Sequence, residues 1–202
     1  MIEKVNILII GDSLVYGLGD SKLGGWVNRL RLELEKRDDY YYDVYNLGIP
    51  DDNSLDILKR FQKEIQDRYY QGKLIVIYQF GANDSSQTKT DYKTFNQRLK
   101  TIFEKTKTYT NNIAYLNIPK AIEINAEGRL GVVAEVRNDN INKYNMFAKE
   151  ICFLENIEHI NINKIIELQD LSKDGIHPNS EGHEKICSVV YEYIKELIDE
   201  KI

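Results

Sequence analysis

The chain has 202 residues, 42% hydrophobic and 29% charged, with 27 Lys+Arg against 32 Asp+Glu and a formal charge of -5. A chain of this length buries roughly 70% of the surface its unfolded form exposes, and 10% aromatic residues argue against disorder. The acidic balance excludes a protein built to neutralise nucleic-acid phosphates, which needs a basic face.

Read from the N-terminus, Glu3 and Lys4 precede only a short apolar run, so no secretory signal is expected and a cytoplasmic location is. No apolar stretch approaches the ~20 residues of a membrane span. Val5–Ile10 reads as a buried strand ending in Gly11-Asp12-Ser13-Leu14. Gly17-Leu18-Gly19 and Gly24-Gly25 follow; they have neither dinucleotide nor phosphate-loop spacing and read as loop flexibility. The apolar stripe Trp26, Leu30, Leu34 predicts a helix over Trp26–Lys36. Tyr40-Tyr41-Tyr42 leads into a second strand, Tyr42–Asn46, closed by Gly48. Asp51-Asp52 then reads as a helix N-terminal device for Ser54–Tyr69, close enough to Gly48 to line a pocket.

A third strand, Leu74–Gln79, ends in Gly81-Ala82-Asn83-Asp84, with Asp12 and Asp84 read as loop braces. Helix Tyr92–Lys107 and strand Ile113–Asn117 come next. The one long irregular connection is Ile118–Asn138, with Gly128 and Gly131, a candidate lid. Helix Asp139–Glu155, strand His159–Ile162 and helix Ser180–Glu200 complete the alternation. Strand–helix alternation of this kind predicts an α/β fold, an open parallel sheet with helices on both faces, and no linker divides 1–202 into further domains. Cys152 and Cys187 stand on separate helical patterns without partner ligands, so buried reduced thiols are expected, with no disulfide and no metal site.

Open α/β sheets carry their sites at the carboxyl ends of the strands. Taken singly, Ser13, Gly48 and Asn83 are ordinary turn or cap residues. The segment after the fifth strand, Asp174-Gly175-Ile176-His177-Pro178, is harder to dismiss. A helix start accounts for Pro178, Asn179 and Ser180 but not for an Asp three residues before a His. A carboxylate that orients an imidazole and stabilises its protonated form does account for it. His183 reads as a packed structural histidine, and His159 is assigned no role.

Together the four loops resemble those of the SGNH (GDSL-type) hydrolases, esterases and lipases on a flavodoxin-like fold. The four blocks occur in the family's order and span nearly the whole chain. The resemblance implies a three-layer α/β/α architecture with a five-stranded parallel sheet of order 2-1-3-4-5. It implies Ser13 as nucleophile, His177 as general base and Asp174 as its partner, with no metal or cofactor. It also implies an oxyanion hole from the Ser13 and Gly48 backbone N–H groups and the Asn83 side-chain amide. In that order the fifth strand lies about 14 Å from the first. The 11 residues between Ile162 and Asp174 span about 16 Å even when wholly helical, so the loop can reach.

The expected function is therefore a serine esterase or acylhydrolase acting on small acyl or acetyl esters through an acyl-enzyme. Acyl thioesters, lysophospholipids and acetylated carbohydrates are alternative substrates of the same site. A non-catalytic ester- or glycan-binding protein would lack a triad or oxyanion residue, and none is missing. A phosphoacceptor domain on a similar sheet would end its third strand in Asp and its fifth in Lys. Lys164 is present, but Gly81 and Ala82 precede Asn83, and the Asp-His pair would go unused. The expected partner is a small-molecule ester.

Overall fold

The computed structural model describes residues 3–86, 90–123 and 136–201. Five strands, β1 (Lys4–Gly11), β2 (Tyr41–Gly48), β3 (Lys73–Gln79), β4 (Ile113–Leu116) and β5 (Glu158–Ile160), form one sheet in the order β2-β1-β3-β4-β5. Every pairing is parallel, and the register brings Gly11 level with both Gly48 and Gln79. The helices are α1 (Ser13–Tyr16), α2 (Trp26–Leu34), α3 (Ser54–Arg68), α4 (Ala82–Ser85), α5 (Tyr92–Thr106), α6 (Asn138–Leu154) and α7 (Ser180–Lys201). None of those described is long and apolar enough to cross a membrane.

Alternation along the strands divides the core in two. Leu8 and Ile10 of β1, with Val76 and Tyr78 of β3, pack under α3, α5 and α6 through Phe61, Ile65, Phe95, Phe103 and Ala148. Val5, Ile7 and Ile9, with Ile75 and Ile77, face the other way onto α2 and α7 through Trp26, Leu30, Ile186, Val190 and Ile194. Because both faces are covered, the strands are continuous apolar runs. Each fully buried Ile or Leu is worth about 1.5–3 kcal/mol relative to exposure.

The three-layer α/β/α sandwich and its strand order are those expected. The long helices start within a residue of their expected positions. Two differences concern short elements. α1 and α4 are single turns of helix, too short for apolar periodicity to register. The fifth strand ends at Ile160, and Ile162 begins a 3-10 turn, Ile162–Lys164, with its side chain in the core. Of the candidate lid, residues 124–135 lie outside those described; the preceding Ile122 donates its N–H to the Gly175 carbonyl at 2.8 Å. Strand order reverses at β1, so the chain leaves β2 and β3 on either side of it. In open α/β sheets such a switch point is where a binding crevice forms, which places it above the end of β1.

Candidate active site

The turn from β1 into α1 is built around side chains and a glycine that leave little slack. A Cβ on Gly11 would lie 2.0 Å from the Gln79 carbonyl oxygen, so β3 closes directly onto the strand end. Asp12 is wholly buried and caps α1, accepting the Leu14 N–H at 2.9 Å. Its second oxygen has no partner among the described residues, and burial pushes the carboxyl up to about 7. Ser13 is the first helical residue, so its N–H has no carbonyl within the helix to bond. Gly17, at φ 101°, ends the helix in the left-handed region.

The segment after β5 folds into a tight loop. Leu171 bridges Pro178, the Ser172 N–H donates to the His177 carbonyl at 2.7 Å, and Gly175 turns the chain at φ 72°. Asn179 caps α7, accepting the N–H groups of Glu181 and Gly182. The loop presents His177 to Ser13. Nε2 lies 2.8 Å from Ser13 Oγ, and Nδ1 lies 2.7 Å from Asp174 Oδ2. Asp174 Oδ1 accepts from the Ile176 and His177 N–H groups and the Ser172 hydroxyl. Burial pushes the Asp174 carboxyl up, but the His177 hydrogen bond and these three donors outweigh it and hold it well below the usual carboxylate range. An ionised Asp174 beside Nδ1 favours the tautomer that carries its proton there, which leaves Nε2 to accept from Ser13.

The glycine-rich run after α1 does more than loosen a loop. A Cβ on Gly19 would lie 2.1 Å from the Pro178 carbonyl oxygen, so the 17–19 segment packs directly on the loop that carries the imidazole. His183, wholly buried, donates from Nε2 to the Leu18 carbonyl at 3.0 Å and accepts the Trp26 N–H on Nδ1 at 3.2 Å. Burial lowers its pKa, in keeping with a neutral structural ring.

The second and third loops reach the crevice by different means. Gly48 sits against α1, where a Cβ would meet the Tyr16 nitrogen at 2.1 Å. Its N–H donates to the Asn46 side-chain oxygen at 3.1 Å, so this expected oxyanion donor is engaged within its own loop. Asn83 donates one amide hydrogen to the Asp52 carbonyl at 2.9 Å, which leaves its second hydrogen for another acceptor. Asp84 braces the third loop onto α3, accepting from the Ser54 N–H at 2.8 Å and hydroxyl at 2.6 Å. Asp51 and Asp52 are not the capping pair; Asn53 caps α3 in a capping box with Asp56. Asp52 instead pairs with Arg60 at 2.7 Å, and Asp51 holds φ 69° in a turn closed by the Asp52 N–H on the Ile49 carbonyl. Sequence reading missed Asn46, Ser172 and Arg60.

Tyr16, Leu18, Ile49 and Ile122, which adjoin these loops, expose apolar surface. An open depression lined by Lys120, Ile122, Asn142 and Leu168 lies beside the Asp174 loop and does not include Ser13 or His177.

The chain is similar in fold to several solved structures. These include a lipase/acylhydrolase from Enterococcus faecalis at 24% identity, covering 94% of this chain and 95% of that one with a TM-score of 0.77. The psychrotrophic esterase EstA from Pseudoalteromonas sp., in a form inhibited by monoethylphosphonate, shares 20% identity over 96% and 99% with a TM-score of 0.74. The acetylxylan esterase Axe2 from Geobacillus stearothermophilus shares 18% over 95% and 94% with a TM-score of 0.70. No sequence among curated proteins matches significantly. The sequence pattern of the GDSL-like lipase/acylhydrolase family matches residues 9–185, and the chain, with its parallel sheet and its Ser13, Asn83 and Asp174-His177 loops, belongs to that family of ester-cleaving hydrolases.

Proposed function

We propose that the protein is a serine esterase that cleaves small acyl or acetyl esters through an acyl-enzyme on Ser13. The observation that carries this reading is the continuous hydrogen-bonded line from Ser13 Oγ through His177 to Asp174. His177 Nε2 takes the Ser13 proton as Oγ bonds to the ester carbonyl carbon, and the carbonyl oxygen becomes an oxyanion. The Ser13 N–H and the second amide hydrogen of Asn83 stabilise that charge; the Gly48 N–H joins them by exchanging its Asn46 partner for the oxyanion. Collapse breaks the bond to the leaving alkoxide, which takes the proton from His177. Water then loses a proton to His177 and attacks the acyl carbon; collapse breaks the bond to Ser13 Oγ, which takes the proton back from His177 as the carboxylic acid leaves.

Tyr16 and Ile49, which flank the Ser13 and Gly48 turns, expose apolar surface that an acyl group can contact. The similarity to an acetylxylan esterase keeps acetylated carbohydrates as a second substrate class on the same site. The test is a p-nitrophenyl ester series from acetate to octanoate, with an acetylated sugar and an acyl thioester alongside. Turnover should be fastest for the shortest chains, and Ser13→Ala should lose at least about 10³-fold in kcat/KM. Wild-type rates no higher than the enzyme-free background would leave a binding protein rather than an esterase, and rates above it that survive Ser13→Ala would remove Ser13 as nucleophile.

A further inference from the structure

We propose that Arg60 is a positioning residue for this site, one guanidinium locking the nucleophile strand, the Gly48 peptide and the Asn83 loop into a single unit. Arg60 lies on α3 and is about five-sixths buried, its side chain 16% exposed. Nη2 donates to the Gly11 carbonyl and to the Leu47 carbonyl, both at 2.9 Å. The Gly11 carbonyl is the last of β1, and the Leu47 carbonyl is the last but one of β2. Gly11 precedes Ser13 by two residues, and the Leu47 carbonyl belongs to the same peptide plane as the Gly48 N–H. Nε donates to Asp52 Oδ2 at 2.7 Å, and the carbonyl of that same Asp52 accepts the Asn83 amide at 2.9 Å. Nη1 turns away to Glu64 at 3.3 Å.

The arrangement uses what only a guanidinium offers. One nitrogen with two hydrogens spans two carbonyls, while a second nitrogen in the same plane engages a carboxylate. A lysine keeps the charge and loses the fork. Anchoring of α3 does not depend on Arg60: Ile57, Phe61 and Ile65 are wholly buried, Asn53 and Asp56 form the capping box, and Asp84 holds Ser54. Arg60 touches no reacting atom, so its effect passes through Gly11, Leu47 and Asp52. Its removal loosens the donor set while leaving the fold in place.

The inference rests on the serine-esterase reading, and its test separates the two. Arg60→Lys and Arg60→Gln are assayed on p-nitrophenyl acetate, with Arg60→Gln repeated in an Asn83→Ala background. Each single Arg60 variant should lose on the order of 10–10² in kcat with KM within about threefold. In the Asn83→Ala background the same change should cost clearly less than it does alone, because one of the three elements it positions is already gone while the Gly11 and Leu47 contacts are still lost. Hydrogen exchange of the Asn83 side-chain amide reports the linkage without turnover: it should accelerate about tenfold or more in Arg60→Gln. The buried Asn145 amide, held on the Ile118 carbonyl at 2.8 Å, should keep its wild-type rate. Unchanged Asn83 exchange overturns the proposal whether or not the enzyme turns over. So do undiminished kcat in both variants, or losses that multiply fully in the double variant. An inactive wild type with accelerated Asn83 exchange would instead overturn the esterase reading and leave Arg60 its positioning role.

Discussion

Gly48→Ala places a Cβ 2.1 Å from the Tyr16 nitrogen and 2.7 Å from the Tyr16 Cα and the Val15 carbonyl carbon. All three are backbone atoms of α1 and cannot rotate aside. Ordinary contact begins at 3.4 Å, so α1 must retreat by about 1.3 Å from β2. α1 carries Ser13, whose Oγ lies 2.8 Å from His177 Nε2. A retreat of that size opens the pair to roughly 4 Å, beyond hydrogen-bond reach. Overpacking costs about 1–3 kcal/mol, a fall of about 2–12 °C in Tm for a chain of this size. A 1 Å misplacement costs on the order of 10²-fold in rate. The variant retains the Gly48 N–H, so a glycine needed only as a donor predicts no loss at all. Steady-state kinetics on p-nitrophenyl acetate, with thermal melts on the same samples, decide between the two. Wild-type kcat/KM together with a wild-type Tm would refute the close-packing argument.

Asp174→Asn keeps the shape of the loop but presents an amide hydrogen to His177 Nδ1, which favours the wrong tautomer. A fall of about 10⁴ in kcat is expected from triads of this kind, and a loss under tenfold would show that Asp174 does not orient the imidazole. Asp12 gives a stability signature. Its carboxyl is pushed from 3.8 to about 7 in the folded state, chiefly by burial. Between those values the folded chain holds a proton that the unfolded chain has released, so stability falls as pH rises and levels off above about 7. The penalty is on the order of a few kcal/mol. Asp12→Asn should flatten the Tm profile between pH 4.5 and 8; identical profiles for variant and wild type would count against it.

Legibility in the sequence followed physical periodicity. β1 and β3 announce themselves as unbroken apolar runs because both faces are buried. α3 shows itself by Leu55, Leu58, Phe61 and Ile65 at helical spacing, of which Phe61 and Ile65 are buried, Leu58 is partly buried and Leu55 is exposed, Ile57 taking the inward place. α1 offers no such signal: one turn of helix has no period, and its capping depends on a buried Asp12 that looks like any turn residue. The meeting of Ser13, Asp174 and His177 in one hydrogen-bonded line was expected because their neighbours follow a known order of blocks. Arg60 was not, since a basic residue on an amphipathic helix looks like a solvated charge until the strand ends it reaches are known. The capture of the Gly48 N–H by Asn46 was hidden too, because it depends on how the chain leaves the strand. Asp51 reads as a helix charge in the sequence, whereas the fold uses it where a left-handed turn is required.

The hydrogen bond between Ser13 and His177 joins residues 164 positions apart. At roughly 5–20 residues per second, a ribosome finishes His177 on the order of ten to thirty seconds after Ser13. β1 cannot hold its final register until β2 and then β3 have emerged, since it pairs with both. On the proposed mechanism, the Ser13 hydroxyl therefore spends most of synthesis without its base, and hydrolytic chemistry switches on only when the last quarter of the chain docks. A nascent or C-terminally clipped chain would, on that mechanism, carry the Ser13 turn and no power to use it.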